Sequence, residues 1–511
     1  MSSESQQPEA APTGWDTELF IVSAEDIGAL GGRLRQVEAL LSREPSVDLK
    51  DLAHTLNVGG EEGAATLAIV AGSAADLVAK LEQARELLAD PDRDRRQDAR
   101  GIYYFRRPLG PEGTMAFLFP GEGSQYQYML ADLRDLFPQV RHVFELADDL
   151  GAKHEGWVAP SEYIFPSPDL PEHERAALEA RMWRVTEVAG AVMLPNFALL
   201  RLLEDFGLRP DALAGHSAGE YTALAACGSL GPVTDESMAA FIADLREAHE
   251  EAAGRGPGQE VSIFAVGAPA SSVKDLLANL AGGAYVAMDN CPHQCVAVLD
   301  VDCAEEALAA FTREGLVCQR LPFDRPYHTP LFEDYALGFE GFFARWIKAL
   351  PEVPLYSCAT AAKVPNDLDE FRRLAWRQWT MPVRFQETVE VMYADGVRIF
   401  VEVGPRGNLT AFVDEVLRGL PHLAVAADVR SRSGVTQLHH MLGLLAAHHV
   451  LVDLAPLYAG RSPRSVDLGD GRVSTMAEHF DRMTKLLDEE REAMRAYFAR
   501  RAALDHPGGS D

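Results

Sequence analysis

Asp211-Ala-Leu-Ala-Gly-His-Ser-Ala-Gly-Glu220 is the stretch on which the reading of this chain turns. Asp211–Gly215 predicts a short strand and Glu220–Cys227 a helix, and a G-x-S-x-G pentapeptide joins them. The pentapeptide alone is common; a strand before it and a helix after it supply the setting it needs. Small residues on both sides let the backbone turn tightly, which carries Ser217 to a helix N-terminus. There the Ala218 N–H can face a developing oxyanion. A serine hydroxyl needs a base to take its proton. The candidate is His328, in the proline-bracketed loop Arg325-Pro-Tyr-His-Thr-Pro-Leu331. His216 is adjacent to Ser217 and cannot easily face its neighbour's oxygen, so it reads as structural. His293 falls in a hairpin turn.

Working outward, Thr114–Pro120 predicts a buried strand running into Gly121-Glu-Gly-Ser-Gln125, and Glu187–Phe206 a long helix. Val397–Val403 is an apolar run interrupted only by Arg398 and Glu402, the pattern of a parallel strand covered on both faces. Residues 260–321 change rhythm. Strands Val261–Val266, Ala284–Asn290, Gln294–Asp300 and Leu316–Leu321 alternate with helices Ser271–Leu280 and Cys303–Glu314. That βαββαβ order is the ferredoxin-like split motif, here read as an insertion in a larger α/β unit. Residues 13–110 predict a separate small α/β unit, with strands Glu18–Ala24, Ala65–Ala71 and Gly101–Arg106 and helices Glu25–Arg43, Asp48–Leu56 and Ala74–Leu88. Asp90–Arg100 is charge-dense and reads as a solvated loop. Residues 474–503 predict an amphipathic helix, packed on its own body or serving to dock or dimerise.

The 511 residues are more than one core usually holds. Apolar residues make up 47% and charged residues 24%, as in ordinary globular chains, and the net charge is −30. That balance argues against nucleic acid as a main partner; a local Arg could still bind one anion. No run suggests a signal peptide or a membrane span. Six cysteines form no disulfide pattern, and the spacer of Cys291-Pro-His-Gln-Cys295 does not suit a metal. A reducing cytoplasm is the expected compartment.

Six segments in order resemble one family: the acyltransferase domains of polyketide and polyunsaturated-fatty-acid synthases and the malonyl-CoA:acyl-carrier-protein transacylases. They are Phe117–Gln125 (FLFPGEGSQ), Gly215–Glu220 (GHSAGE), Tyr327–Pro330, Pro354–Thr360, Pro382–Phe385 and Phe400–Pro405. Residues 13–110 also resemble the linker between ketosynthase and acyltransferase, and 431–470 the linker after the acyltransferase. The resemblance implies a hydrolase-like α/β parallel-sheet core in two parts, 114–259 and 322–430, with 260–321 inserted as a ferredoxin-like subdomain. It implies Ser217 as nucleophile, His328 as base, the backbone amides of Glu122 and Ala218 as oxyanion hole, and the Gln378 carbonyl orienting His328. Arg246 would clamp a malonyl carboxylate, as a bidentate guanidinium can. Gln125, Asn290 and Tyr327 would border the substrate.

The same resemblance implies a ping-pong transfer from a coenzyme A thioester to the phosphopantetheine thiol of an acyl carrier protein, with no bound cofactor or metal. A ketosynthase or other synthase subunit could dock on the linker unit or the C-terminal helix. No ketosynthase or carrier segment is present, so a free-standing acyltransferase is expected. Glu122 stands where the family has Gln, Gly190 where it has Gln, and Arg325–Tyr327 matches neither of the family's usual specificity segments. Bulky Tyr327 would crowd an α-methyl branch, which favours malonyl. Two rivals remain open at this point: an editing thioester hydrolase on the same Ser–His pair, and a non-catalytic assembly module.

Overall fold

The computed structural model describes residues 15–468 except 60–62, 91, 155, 254–259, 279, 281–282 and 323–324. The expected helix 474–503 lies outside the described residues. Strands β1 (Glu18–Ala24), β2 (Ala65–Ala71), β3 (Arg95–Asp98) and β4 (Ile102–Phe105) form an antiparallel sheet in the order β1-β2-β4-β3. Helices Ile27–Arg43 and Ala74–Ala89 begin where side chains cap them. Asp26 accepts from the Ala29 N–H, and Ser73 from the Asp76 N–H.

β3 corrects the expected loop at 90–100. Its charged residues pair as an edge strand with β4, Arg96 opposite Tyr104, and Asp98 takes both Arg96 and Arg100. An edge strand needs only one neighbour and tolerates charge, so its composition looks like a loop while its partner makes it a strand.

Strands β5 (Thr114–Phe119) and β6 (Ala212–Gly215) belong to the central sheet. β7 (Val261–Val266), β8 (Ala284–Cys291), β9 (Gln294–Asp300) and β10 (Cys318–Arg320) make a second antiparallel sheet, in the order β10-β7-β9-β8. This is the split βαβ arrangement, with β9 antiparallel between β7 and β8. β11 (Leu355–Ser357), β12 (Ala362–Lys363), β13 (Val383–Arg384), β14 (Val397–Glu402) and β15 (Leu423–Ala426) follow. β13 extends the second sheet, running parallel to β8. The central sheet runs β12-β11-β6-β5-β14-β15 and is parallel except at β12. Its unalternated strands are buried on both faces; Phe117, Phe119 and Val401 are fully enclosed.

The stretch expected as one helix over Glu187–Phe206 is helical through Asp205 but irregular in its first turns. Val185–Glu187 is a 3₁₀ turn, Ala189–Met193 a π turn, and the α-helix starts at Leu194. Pro195 has no N–H to give to the preceding turn, so the chain widens ahead of it.

The helix Gly434–Ala447 is buried almost throughout and packs on β1, β2 and β4. Gly443 permits that approach: a Cβ there would stand 3.0 Å from Leu19 Cδ1. Further on, Arg461 pairs with Glu18, and Asn57 donates to the Tyr458 hydroxyl at 2.7 Å. Residues 431–468 therefore close over the N-terminal sheet rather than trailing from the central one.

Candidate active site

β6 ends at Gly215, and the chain turns through Ser217 in the left-handed region, with φ of +53°. Such a φ is uncommon outside glycine and marks a sharp turn held by its surroundings. Gly219 makes the turn possible: a Cβ there would lie 2.0 Å from the Phe119 carbonyl oxygen. At Gly121 a Cβ would lie 3.1 Å from Ser217 Cβ and 3.0 Å from the Ala218 nitrogen. The Gly121–Gln125 turn thus runs against the nucleophile itself.

His328 reaches Ser217 from 111 positions away. Its Nε2 is 2.7 Å from Ser217 Oγ, and both residues are buried. Nδ1 sits 3.1 Å from the Gln378 carbonyl and 3.2 Å from the Met381 carbonyl. Both are acceptors only, so Nδ1 carries the proton and Nε2 offers its lone pair to the serine O–H. The ring lies parallel to Trp379, at 5.5 Å and 14°. The His328 N–H donates to the Trp379 carbonyl at 2.8 Å. Burial holds the His328 pKa down to about 4, His216 adds to the depression, and the two carbonyls act against it. A neutral imidazole is therefore in place across the neutral pH range.

The Ala218 N–H has no backbone acceptor among the described residues. Glu122 is half-buried in the turn above, and its charge bears on the Tyr221 and Tyr335 hydroxyls. The turn is braced: Ser124 Oγ donates to the Gly121 carbonyl at 2.8 Å, and Arg406 donates to the carbonyls of Ser124 at 3.3 Å and Gln125 at 2.8 Å.

The other expected residues sit as follows. Gln125 is buried with both ends of its amide engaged: Oε1 accepts from the Gly123 N–H at 2.8 Å, and Nε2 donates to the Met182 carbonyl at 3.3 Å. Asn290 Oδ1 is 2.8 Å from His216 Nε2, and its Nδ2 donates to Gln294 at 2.7 Å. It joins the second sheet to the elbow. Tyr327 packs edge-on against Phe332 and tilted on Trp379, behind the imidazole. Arg246 gives Nη1 to Glu187 at 2.9 Å and Nε to Glu250 at 3.0 Å, so the expected carboxylate clamp is already occupied.

Sequence reading missed Trp379, Arg406 and Glu187. Trp379 and Arg406 carry no local signal. Glu187 had a signal that could have found it, an acid entering the apolar run Val188–Leu194.

A family model described as acyl transferase domain matches residues 116–452. The chain belongs to that family. A second model, described as CurL-like, PKS C-terminal, matches residues 18–81 of this acyltransferase. Spectinabilin polyketide synthase system protein NorA of Streptomyces orinoci is 29% identical over 86% of this chain. The malonyl CoA-acyl carrier protein transacylase of Bacillus subtilis is 28% identical over 61% of this chain and 93% of its own length. The acyltransferase spans 22% of NorA and 6% of polyketide synthase GfsA of Streptomyces halstedii. Among solved structures, the acyltransferase domain from module 8 of the salinomycin polyketide synthase matches with a TM-score of 0.69, covering 86% of this chain and 98% of that one at 23% identity. The malonyl-CoA:acyl carrier protein transacylase of Xanthomonas oryzae matches with a TM-score of 0.53 at 27% identity, over 63% of this chain and 96% of that one. The α/β fold, with its parallel core and inserted split-βαβ sheet, is that of these acyltransferases.

Proposed function

We propose that this acyltransferase moves an acyl group from coenzyme A to the phosphopantetheine thiol of an acyl carrier protein through an ester on Ser217. The observation that carries the reading is the 2.7 Å contact between Ser217 Oγ and an imidazole whose other nitrogen is turned to two carbonyls. His328 takes the serine proton as Oγ attacks the thioester carbon. The amides of Glu122 and Ala218 receive the oxyanion. The C–S bond breaks, the proton on Nε2 passes to the departing thiolate, and the ester remains. A carrier thiol then gives its proton to His328, its sulfur takes the acyl carbon, and Oγ recovers the proton. Two carbonyls in place of a carboxylate suffice to orient the ring.

The carrier as acceptor is supported by the relative from Bacillus subtilis, a malonyl CoA-acyl carrier protein transacylase by name. Malonyl as the acyl group has that same support. The pairing of Arg246 with Glu187 and Glu250 weighs against it.

The test is intact-protein mass spectrometry with a panel of acyl-CoAs, with and without a phosphopantetheinylated carrier. Transfer predicts an adduct that Ser217→Ala abolishes and that carrier discharges faster than water does. Discharge to water at the same rate with and without carrier would favour an editing hydrolase instead.

A further inference from the structure

A narrow cavity is lined by Trp157, Tyr163, Glu187, Gly190, Ile242 and Arg246. The π turn Ala189–Met193 that lines it packs on the helix Gly219–Ala226, which begins two residues after Ser217. Met182, beside Arg181, accepts from Gln125 of the turn above the nucleophile.

The charges at the polar end are all committed. Glu187 is 2% exposed and shared by two guanidiniums, Arg246 at 2.9 Å and Arg181 at 2.7 Å. Arg246 also holds Glu250, and its guanidinium face is covered by Trp157 at 4.5 Å. Two cations and two anions cancel. A carboxylate entering here would find no guanidinium without an acid already on it and would stand against the buried Glu187 anion. Freeing Arg246 to meet it would strip Glu187 of one of its two partners in a dry site, which is costly. What the cavity does offer is apolar wall and the Tyr163 hydroxyl, buried and without a hydrogen-bond partner among the described residues. Gly190 keeps that hydroxyl's place open, since a Cβ there would lie 2.0 Å from it.

We propose that this cavity receives the acyl chain and selects uncharged acyl groups over carboxylated ones such as malonyl, because Glu187 already neutralises Arg246. The proposal rests on the acyl-transfer reading above.

The full-length protein, wild type and Glu187→Gln, is mixed separately with acetyl-, propionyl-, butyryl- and malonyl-CoA, quenched at intervals and weighed intact. The wild type should acylate from the best uncharged donor at least tenfold faster than from malonyl-CoA. Glu187→Gln should shift that ratio towards malonyl at least tenfold, because the buried anion is gone and Arg246 keeps only Glu250. Malonyl loading as fast as or faster than the uncharged donors in the wild type overturns the proposal and leaves acyl transfer standing. An unchanged ratio in folded Glu187→Gln overturns the assignment to Glu187. No adduct from any donor removes the transfer reading and this proposal with it. If Glu187→Gln does not fold, the wild-type ratio alone decides.

Discussion

Acyl-enzyme formation by this protein should persist into acid, where an ordinary histidine base would already be silent. The perturbation is pH alone. Burial holds His328 at about 4. At pH 5.5 an imidazole of pKa about 4 is ~97% neutral, whereas one at the ordinary ~6.5 would be ~9% neutral, so the rate should differ by about tenfold between the two cases. Quenched-flow mass spectrometry of the Ser217 adduct between pH 4 and pH 8, with circular dichroism to show that the fold holds, gives the profile. A plateau from pH 8 to about 5.5 that halves near pH 4 is the expected result. A midpoint near 6.5 in protein that is still folded would refute the argument from burial.

The same depression has a stability side with a definite sign. The unfolded chain protonates this histidine near 6.5, the folded chain only near 4. The neutral ring thus stabilises the fold in full above about 6.5, and that contribution drains away as pH falls to 4. The gap corresponds to about 3 kcal/mol. His249 and His439, both buried and held to about 3, act in the same direction. Activity and stability should therefore fail close together in acid, with stability eroding first.

Four further outcomes follow from the packing. Gly219→Ala places a methyl 2.0 Å from the Phe119 carbonyl, and the melting temperature should fall by an amount equivalent to about 3 kcal/mol. Arg406→Ala removes both donors that brace the Ser124 and Gln125 carbonyls; the adduct rate should drop tenfold or more, about 1.5–3 kcal/mol per lost charged bond as an upper bound, with partial recovery in Arg406→Lys. Asn290→Ala leaves the buried His216 N–H without its acceptor and should cost about 1–3 kcal/mol by urea denaturation. Glu402, fully buried, is pushed up to about 7 by burial, against the Thr410 bonds that favour its charge. Its raised pKa means stability is lost as pH climbs from about 4.5 through 7, so Glu402→Gln should gain on the wild type by about 2–3 kcal/mol between pH 4.5 and pH 8 in urea midpoints.

Much of the fold is legible in short-range pattern. The period-two and period-3.6 segments of 260–321 spell βαββαβ, and the sheet adopts the matching strand order. Val397–Val403 reads as a doubly covered strand because no polar residue but Arg398 and Glu402 interrupts it, and β14 lies inside the parallel sheet. The elbow is legible too, since its small residues have no other economical use. The site is legible only in part. That His328 and not His293 meets Ser217 is a preference for a proline-bracketed loop over a hairpin turn, reinforced by the resemblance; nothing in the spacing of two loops reports their distance.

By itself, then, the amino-acid order determined where the chain buries itself, where it turns sharply and which oxygen is presented at the turn, because each depends on side chains within a few residues of one another. Tertiary structure decided the rest. It made a strand of charged Arg95–Asp98, laid Gly434–Ala447 over the N-terminal sheet, and put two arginines, 65 positions apart, on one buried acid. These are pairings between distant segments. A charge takes its partner from whatever the packed core brings within about 3 Å, and a local pattern holds no record of that neighbour.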